Sequence, residues 1–487
     1  MSPALILSVV FLYFILLLFI SFYTARGANA NSFFIGNKKS NWLIVAYGMI
    51  GTSLSGVTFM SVPGEVGVKQ FAYMQIVLGY LVGYFVIALV LLPLYYRLNL
   101  TSIYTYLQGR FGNTTYKTGS LFFILSRTLG ASIRVFLVVN MLQVFVLDDL
   151  HVPFGVTGAV IIGLILIYTF KGGVKTIVWT DMIQTTCMLG ALLLCVFLVM
   201  NQLGFSAGEM MAAIEQKELT QTFFWDWKDK KFFWKQFLSG IFITIAMTGL
   251  DQEMMQKNLS CRNLKEAQKN MFTFSFTLVL VNLLFLVLGA VLFVFAAERG
   301  IQVPARTDEL FPTIALQYLG DAAGLIFLIG LISALYPSAD GALTALTSAF
   351  CIDILNLPNR EAWNERKKTR IRYLVHFSFA VIFLLCLAFY KINVTTSVIS
   401  AVLAIAGYTY GPLLGLYSFG LFMKRKIHDR LAPVVCILSP LICYYLNLHS
   451  AKWFGGYQLG FELLLLNGLI TFLGLWMISR PKELLTA

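Results

Sequence analysis

Apolar runs of about twenty residues recur from one end of this 487-residue chain to the other, each long enough to cross the hydrocarbon core of a bilayer. In lipid a helix satisfies its own backbone hydrogen bonds, so such runs fold as transmembrane helices. The chain is 58% hydrophobic and 12% charged, whereas soluble domains carry about a quarter charged residues. Water cannot be its solvent. The fold class is an all-α membrane protein embedded in a lipid bilayer. A net charge of +13 is compatible with a nucleic-acid partner, but the basic residues form short blocks between the apolar runs rather than one face. They set topology, and no nucleic-acid partner is expected.

The run lengths predict helices near 4–23, 42–66, 73–96, 118–146, 154–170 and 177–201 in the first half. The second half gives 237–256, 271–297, 323–353, 371–390, 394–422, 430–447 and 459–478, about thirteen spans in all. Ala28-Asn29-Ala30 resembles a secretory cleavage site, yet no Lys or Arg precedes the first run, so a retained helix is expected. Arg26, Lys38 and Lys39 then place the N-terminus outside and the first loop in the cytoplasm. Alternation makes the first loop, the loops 97–117, 171–175, 257–270, 356–372 and 424–430 and the tail 480–487 cytoplasmic. Together these hold 24 of the 36 Lys and Arg, the bias expected for an integral plasma membrane protein with a cytoplasmic C-terminus.

Metal and thiol chemistry find little support. Cys187, Cys195, Cys261, Cys351, Cys386, Cys436 and Cys443 are scattered without paired spacing and read as small core residues. His151, His376, His428 and His449 stand too far apart for a zinc motif.

Charges inside apolar runs are the informative exceptions. Arg127 and Arg134 are seven apart on the fourth helix, hence on one face, and each either serves a site or pairs internally to fix packing. Asp181 and Asp340 are the immersed acids, either cation ligands or partners of those arginines. The second span contains Gly51-Thr52-Ser53-Leu54-Ser55-Gly56, where helix propensity is lowest. Unwinding there exposes carbonyls to a cation, whereas the alternative is close packing through small residues. Thr248-Gly249, followed by Asp251-Gln252-Glu253, is its counterpart five crossings later. Interrupted helices at matching positions predict an inverted repeat, with 42–201 and 237–422 as halves of opposite orientation. Residues 1–41, the extracellular loop 202–236 and two C-terminal helices in 423–487 are then additions.

Four stretches together resemble the sodium:solute symporter family, including its bacterial branch of sialic acid transporters. They are Thr52-Ser53-Leu54-Ser55-Gly56 with Pro63-Gly64; Phe170-Lys171-Gly172-Gly173-Val174-Lys175 through Trp179-Thr180-Asp181-Met182-Ile183-Gln184; Asp251-Gln252 through Lys265-Glu266-Ala267; and Ser333 to Asp353. The Gly-Gly, basic residue, Trp-Thr-Asp-x-x-Gln pattern between two spans is the most specific, and the likeness covers nearly the whole chain. It implies the inverted five-helix repeats of the leucine-transporter type, the cytoplasmic membrane of a bacterium, and Na+ as coupling ion with no organic cofactor. The resemblance further implies a main sodium site from backbone oxygens of Gly51, Leu54 and Ala334 and the hydroxyl of Ser338. Where the family carries two consecutive hydroxyl residues, this chain has Pro337 before Ser338. A second cation falls to Asp181, Ser338 and Asp340, with sodium and proton both open. For the solute, Ser55, Thr58 and Arg134 match the sialic acid branch, and Gln75 on the adjoining helix is a further candidate. Arginine's planar fork suits a carboxylate, which favours an anionic organic solute over a neutral sugar.

Two other classes compete with a secondary transporter. A membrane sensor needs a signalling module, and the chain ends at Ala487 soon after the last span, with no segment of domain size outside the membrane. An intramembrane enzyme needs a nucleophile and a base converging in a cavity, and no such pair stands out.

Overall fold

The structure, a computed structural model, describes residues 3–24, 38–393, 397–457 and 459–481. Arg26, the Ala28-Asn29-Ala30 sequence and most of the tail lie outside them. Among the described residues eight helices are long and apolar enough to cross a membrane, or up to eleven when each sharply bent pair is one span. Two shorter apolar segments, Phe154–Ile167 and Leu463–Met477, accompany them.

In chain order the membrane segments are α1 (Pro3–Thr24), α2 (Trp42–Ser53), α3 (Gly56–Lys69), α4 (Tyr73–Arg97), α5 (Asn113–Leu147), α6 (Phe154–Leu203), α7 (Phe233–Gly249) and α8 (Gln252–Leu259). There follow α9 (Leu264–Glu298), α10 (Asp321–Ile354), α11 (Glu365–Asn393), α12 (Val398–Thr409), α13 (Gly411–Phe422), α14 (Asp429–Trp453) and α15 (Leu463–Met477). A two-residue antiparallel strand pair, Lys426–Ile427 with Ser479–Arg480, joins the last loop to the end of the chain.

The first segment packs as part of the bundle: Tyr13 stacks on Tyr336 of α10, its hydroxyl accepts from Ser333, and Leu17 is fully buried. Sequence reading expects a loop at 171–175, yet helical backbone runs through Phe154–Leu203, and the side chains at 170–175 lie outside the described residues. That run is not straight. Val160 shares a cavity with Ile332 and Tyr336, while Ala191 packs on Gly330 at the same level of α10. A straight helix would separate Val160 from Ala191 by about 45 Å, so the chain reverses between them.

Three bends decide where chemistry is possible. The α2/α3 pair bends by 57°, α7/α8 by 66° and α12/α13 by 46°. Propensity and patterning point to the first two; the third, within the span expected at 394–422, follows from Gly411-Pro412, because proline carries no N–H for the carbonyl four residues earlier. The second bend falls at Leu250-Asp251, just past Thr248-Gly249, and its helix continues to Leu259 instead of ending at 256. Lys257 therefore belongs to the bundle interior and not to a cytoplasmic loop. All eight residues of α8 are buried, so its polar side chains must find partners inside the protein.

Candidate functional site

A bend leaves carbonyls without helical donors, and the three bends satisfy theirs differently. At the second, the hydroxyls of Tyr95 and Tyr104 donate to the carbonyls of Gly249 and Leu250, each at 2.8 Å. At the third, the Asn467 amide donates to Gly407 and Tyr408 at 3.0 and 2.8 Å. The first bend has no such cover. The Leu54 N–H reaches back to Ile50, the Ser55 hydroxyl caps α3 by accepting from Val57, and Phe59 donates to Ser55. Among the described residues no donor reaches the carbonyls of Gly51, Thr52, Ser53 or Leu54. These oxygens sit in the interior of the bundle, where a bare carbonyl is costly unless an ion or water meets it.

Helix α10 packs against α2 and supplies the complementary oxygens. Pro337 lies inside it, so the carbonyl of Ser333 lacks its usual donor. Serine and threonine hydroxyls further along α10 bond back one turn, Thr347 to Leu343 and Ser348 to Thr344. The Ser338 hydroxyl does not: it is buried with no partner among the described residues. Ala334, one turn earlier, is fully buried. The structure thus gathers the expected sodium ligands on two facing helices, with unsatisfied oxygen on both. Ser338→Ala should leave the sodium-free melting temperature unchanged or slightly higher, since a buried orphan hydroxyl is lost. It should raise the sodium concentration needed for half-maximal thermal stabilisation about tenfold. Thermal melts across a sodium titration check both; an unchanged titration removes Ser338 from the site.

Beside this lies a network of buried charges drawn from four helices, α5, α6, α8 and α10. On α8, Glu253 pairs with Arg127 of α5, and Asp251 caps the helix through the N–H groups of Glu253 and Met254. The second Asp251 oxygen accepts from Tyr410 at 2.9 Å and faces Arg127 at 3.7 Å. The Lys257 ammonium bonds Asp181 of α6 at 2.7 Å and Thr52 of α2 at 2.5 Å. Thr52 itself donates to Asp181 at 3.0 Å. Gly341 of α10 presses on Glu253 so closely that a Cβ there would collide with the carboxylate, and Gly48 gives Asp181 the same close approach to α2. Asp340 accepts from the Gly341 N–H, and its charge faces Lys257. The sequence alternative, Asp181 or Asp340 paired with Arg127 or Arg134, is corrected: Asp181 pairs with Lys257, and Arg127 with Asp251 and Glu253. Reading Lys257 as a loop residue hid that partner.

Between the first bend and α4, α5, α7 and α9 lies a cavity of about 100 Å³, several times what one water needs. Ser55 and Thr58 line it, with Thr52 and Leu54 at the bend. Arg134 enters from α5 with no acidic partner, and no carboxylate lines the walls among the described residues. Two turns earlier on the same face Arg127 is neutralised. Gln75 is elsewhere: its amide donates to the carbonyls of Ala72 and Lys231 and its oxygen accepts from Phe224, tying down the segment after 220. It does not face the cavity. Sequence reasoning missed Tyr73, Tyr80 and Tyr84 of α4, Thr244 of α7 and Asn282 of α9, and it read Thr248 of α7 only as part of a bend. The tyrosines recur at helical spacing on one face, and Asn282 is a lone amide in an apolar run, so the signal existed in both.

The sequence model of the sodium:solute symporter family matches residues 33–429. The chain is 24% identical over 419 residues to the sodium/sialic acid symporter SiaT of Proteus mirabilis, covering 83% of this chain and 82% of that protein. It is 23% identical over 434 residues to the sodium/sialic acid symporter NanT of Aliivibrio fischeri, covering 86% and 83%. Its fold is that of a solved Na+-coupled sialic acid symporter in a substrate-bound, outward-open state. The TM-score is 0.83 at 20% identity, over 98% of this chain and 99% of that one.

Proposed function

Because this chain belongs to the sodium:solute symporter family, a family of membrane transporters that use Na+ as coupling ion, we propose that it imports an anionic organic solute by alternating access. The observation that carries the solute class is Arg134, an arginine lining the cavity with no acid paired to it among the described residues, while Arg127 on the same face is paired twice. An unpaired guanidinium at this depth awaits a counter-charge, and a carboxylate fits its fork. The sialic acid relatives make a sugar acid of that type the first candidate. Ser55 and Thr58 then offer hydroxyls to the polar end of the solute, and Asn282 and Tyr73, Tyr80 and Tyr84 close around it.

Sodium takes the main site between the carbonyls of Gly51 and Leu54, the carbonyl of Ala334 and the hydroxyl of Ser338. The first two bent pairs belong to repeats 42–201 and 237–422, which move against one another. The N-terminus is extracellular and the C-terminus cytoplasmic, with no enzymatic step and no organic cofactor. The asymmetry of the bends supports this arrangement, since tyrosine hydroxyls occupy the carbonyls of α7/α8 and the Asn467 amide those of α12/α13, while among the described residues no donor reaches those of α2/α3.

Counterflow in proteoliposomes tests the reading. Sialic acid and simpler sugar acids should exchange across the membrane only with sodium present, and neutral sugars of the same size should not. Exchange of neutral sugars alone would overturn the anionic assignment; sodium-independent exchange would overturn the ion site.

A further inference from the structure

The Lys257 ammonium, read along the sequence as a loop residue, is buried in the network. Its nitrogen lies 2.5 Å from Thr52 Oγ1, 2.7 Å from Asp181 Oδ2 and 3.6 Å from Glu253 Oε1, oxygens held by α2, α6 and α8. Lysine has three donors and no acceptor, and here three oxygens surround it, in a residue only 2% exposed. The compact ammonium thus sits in a shell of hard oxygens such as would hold an alkali cation. Thr52 is one of the four residues whose carbonyls face no donor, so the ammonium lies directly beside the sodium site.

We infer that Lys257 fills, with its own ammonium, a cation position next to the main sodium site, so that the protein binds one sodium and admits a second only when that ammonium is removed. Charge balance gives the reason. Asp181, Asp251, Glu253 and Asp340 bring four carboxylates into the network, against Arg127 and Lys257. Removing Lys257 deepens the deficit by one, at a place already built from Thr52 and Asp181 oxygens. Asp181 Oδ1, buried without a partner among the described residues, remains to complete the coordination of an incoming ion. The expectation that Asp181, Ser338 and Asp340 hold a second free cation is thereby revised: the protein supplies it. A tethered cation cannot dissociate into the cell, so it contributes to binding without contributing to the driving force.

This inference rests on the sodium site proposed above, and the experiment separates the two. Purified full-length protein is titrated with radioactive sodium alone, and bound ions are counted per chain. The wild type should bind one, Lys257→Met two, and the double variant Lys257→Met/Asp181→Asn one again, because the carboxylate that would hold the second ion is gone. A wild-type count of zero would sink the sodium site itself. A wild-type count of two, or a count of one in Lys257→Met, would sink the tethered cation alone. If Lys257→Met folds poorly in choline, the inference requires that sodium restore its melting temperature, and failure of that rescue overturns it. Asp181, Glu253 and Asp340 face the ammonium, with Arg127 beyond Glu253. A wild-type count that rises from one to two on going to alkaline pH would also overturn it, by showing that Lys257 trades its proton for an ion.

Discussion

Replacing Arg134 by lysine is expected to leave the melting temperature of the solute-free protein at its parent value while weakening binding of an anionic solute more than about tenfold. Among the described residues Arg134 makes no ion pair, so the fold loses little when its fork is shortened to an ammonium. The solute loses the two-pronged contact that lysine cannot reproduce. Arg134→Ala removes the charge as well, and truncating one partner of a desolvated pair costs roughly 2–5 kcal/mol, about thirtyfold or more in affinity. Calorimetric affinity measured beside melting temperature decides the matter. Parent affinity in Arg134→Lys would remove Arg134 from the solute site.

The opposite phenotype is expected at Arg127, two turns away. Arg127→Met should cost about 3–5 kcal/mol of stability and most of the folded yield, because Asp251 and Glu253 are left charged and buried with their cation gone. Adding Glu253→Gln should recover a large part of that loss, since it removes one of the two stranded carboxylates. Asp251 keeps Tyr410 and the helix N–H groups, so it is less exposed to the change. Thermal melts in detergent of the single and double variants give the coupling directly. A single variant as stable as the parent, or a double variant no better than the single, would show that the pair does not carry the packing of α5 on α8. Gly341 places the same network under steric control: a side chain there enters the space of the Glu253 carboxylate and should destabilise in the same direction.

Arg127 and Arg134 also show what sequence can and cannot decide. Their spacing of seven puts them on one face, and each carries the same possibilities of function or internal pairing. The difference lies across the interface, where α8 brings two carboxylates to one arginine and none to the other. Lys257 makes the same point more sharply. Read along the chain it follows an apolar span and precedes basic residues, which is the pattern of a cytoplasmic loop. Only the extension of α8 to Leu259, with Asp181 and Thr52 arriving from distant helices, turns it inward. Gln75 errs in the other direction, since a polar residue beside the broken helix reads as a ligand until the loop carbonyls that occupy its amide are seen.

What the sequence determined by itself was whatever depends on neighbours along the chain. Apolar run length dictated membrane helices, and glycine and hydroxyl clusters at 51–56, with Thr248-Gly249, marked two of the bends, because hydropathy and helix propensity are local sums. Asp181, Asp340 and Arg134 stood out because charged groups are rare at that depth. Tertiary structure alone decided which freed carbonyls stay bare, since the donors that cover the others, Tyr95, Tyr104 and Asn467, come from segments far along the chain. It also decided which buried charges neutralise one another. A buried charge is fixed by the groups that surround it in space, and their identity is a property of packing that no window of sequence contains.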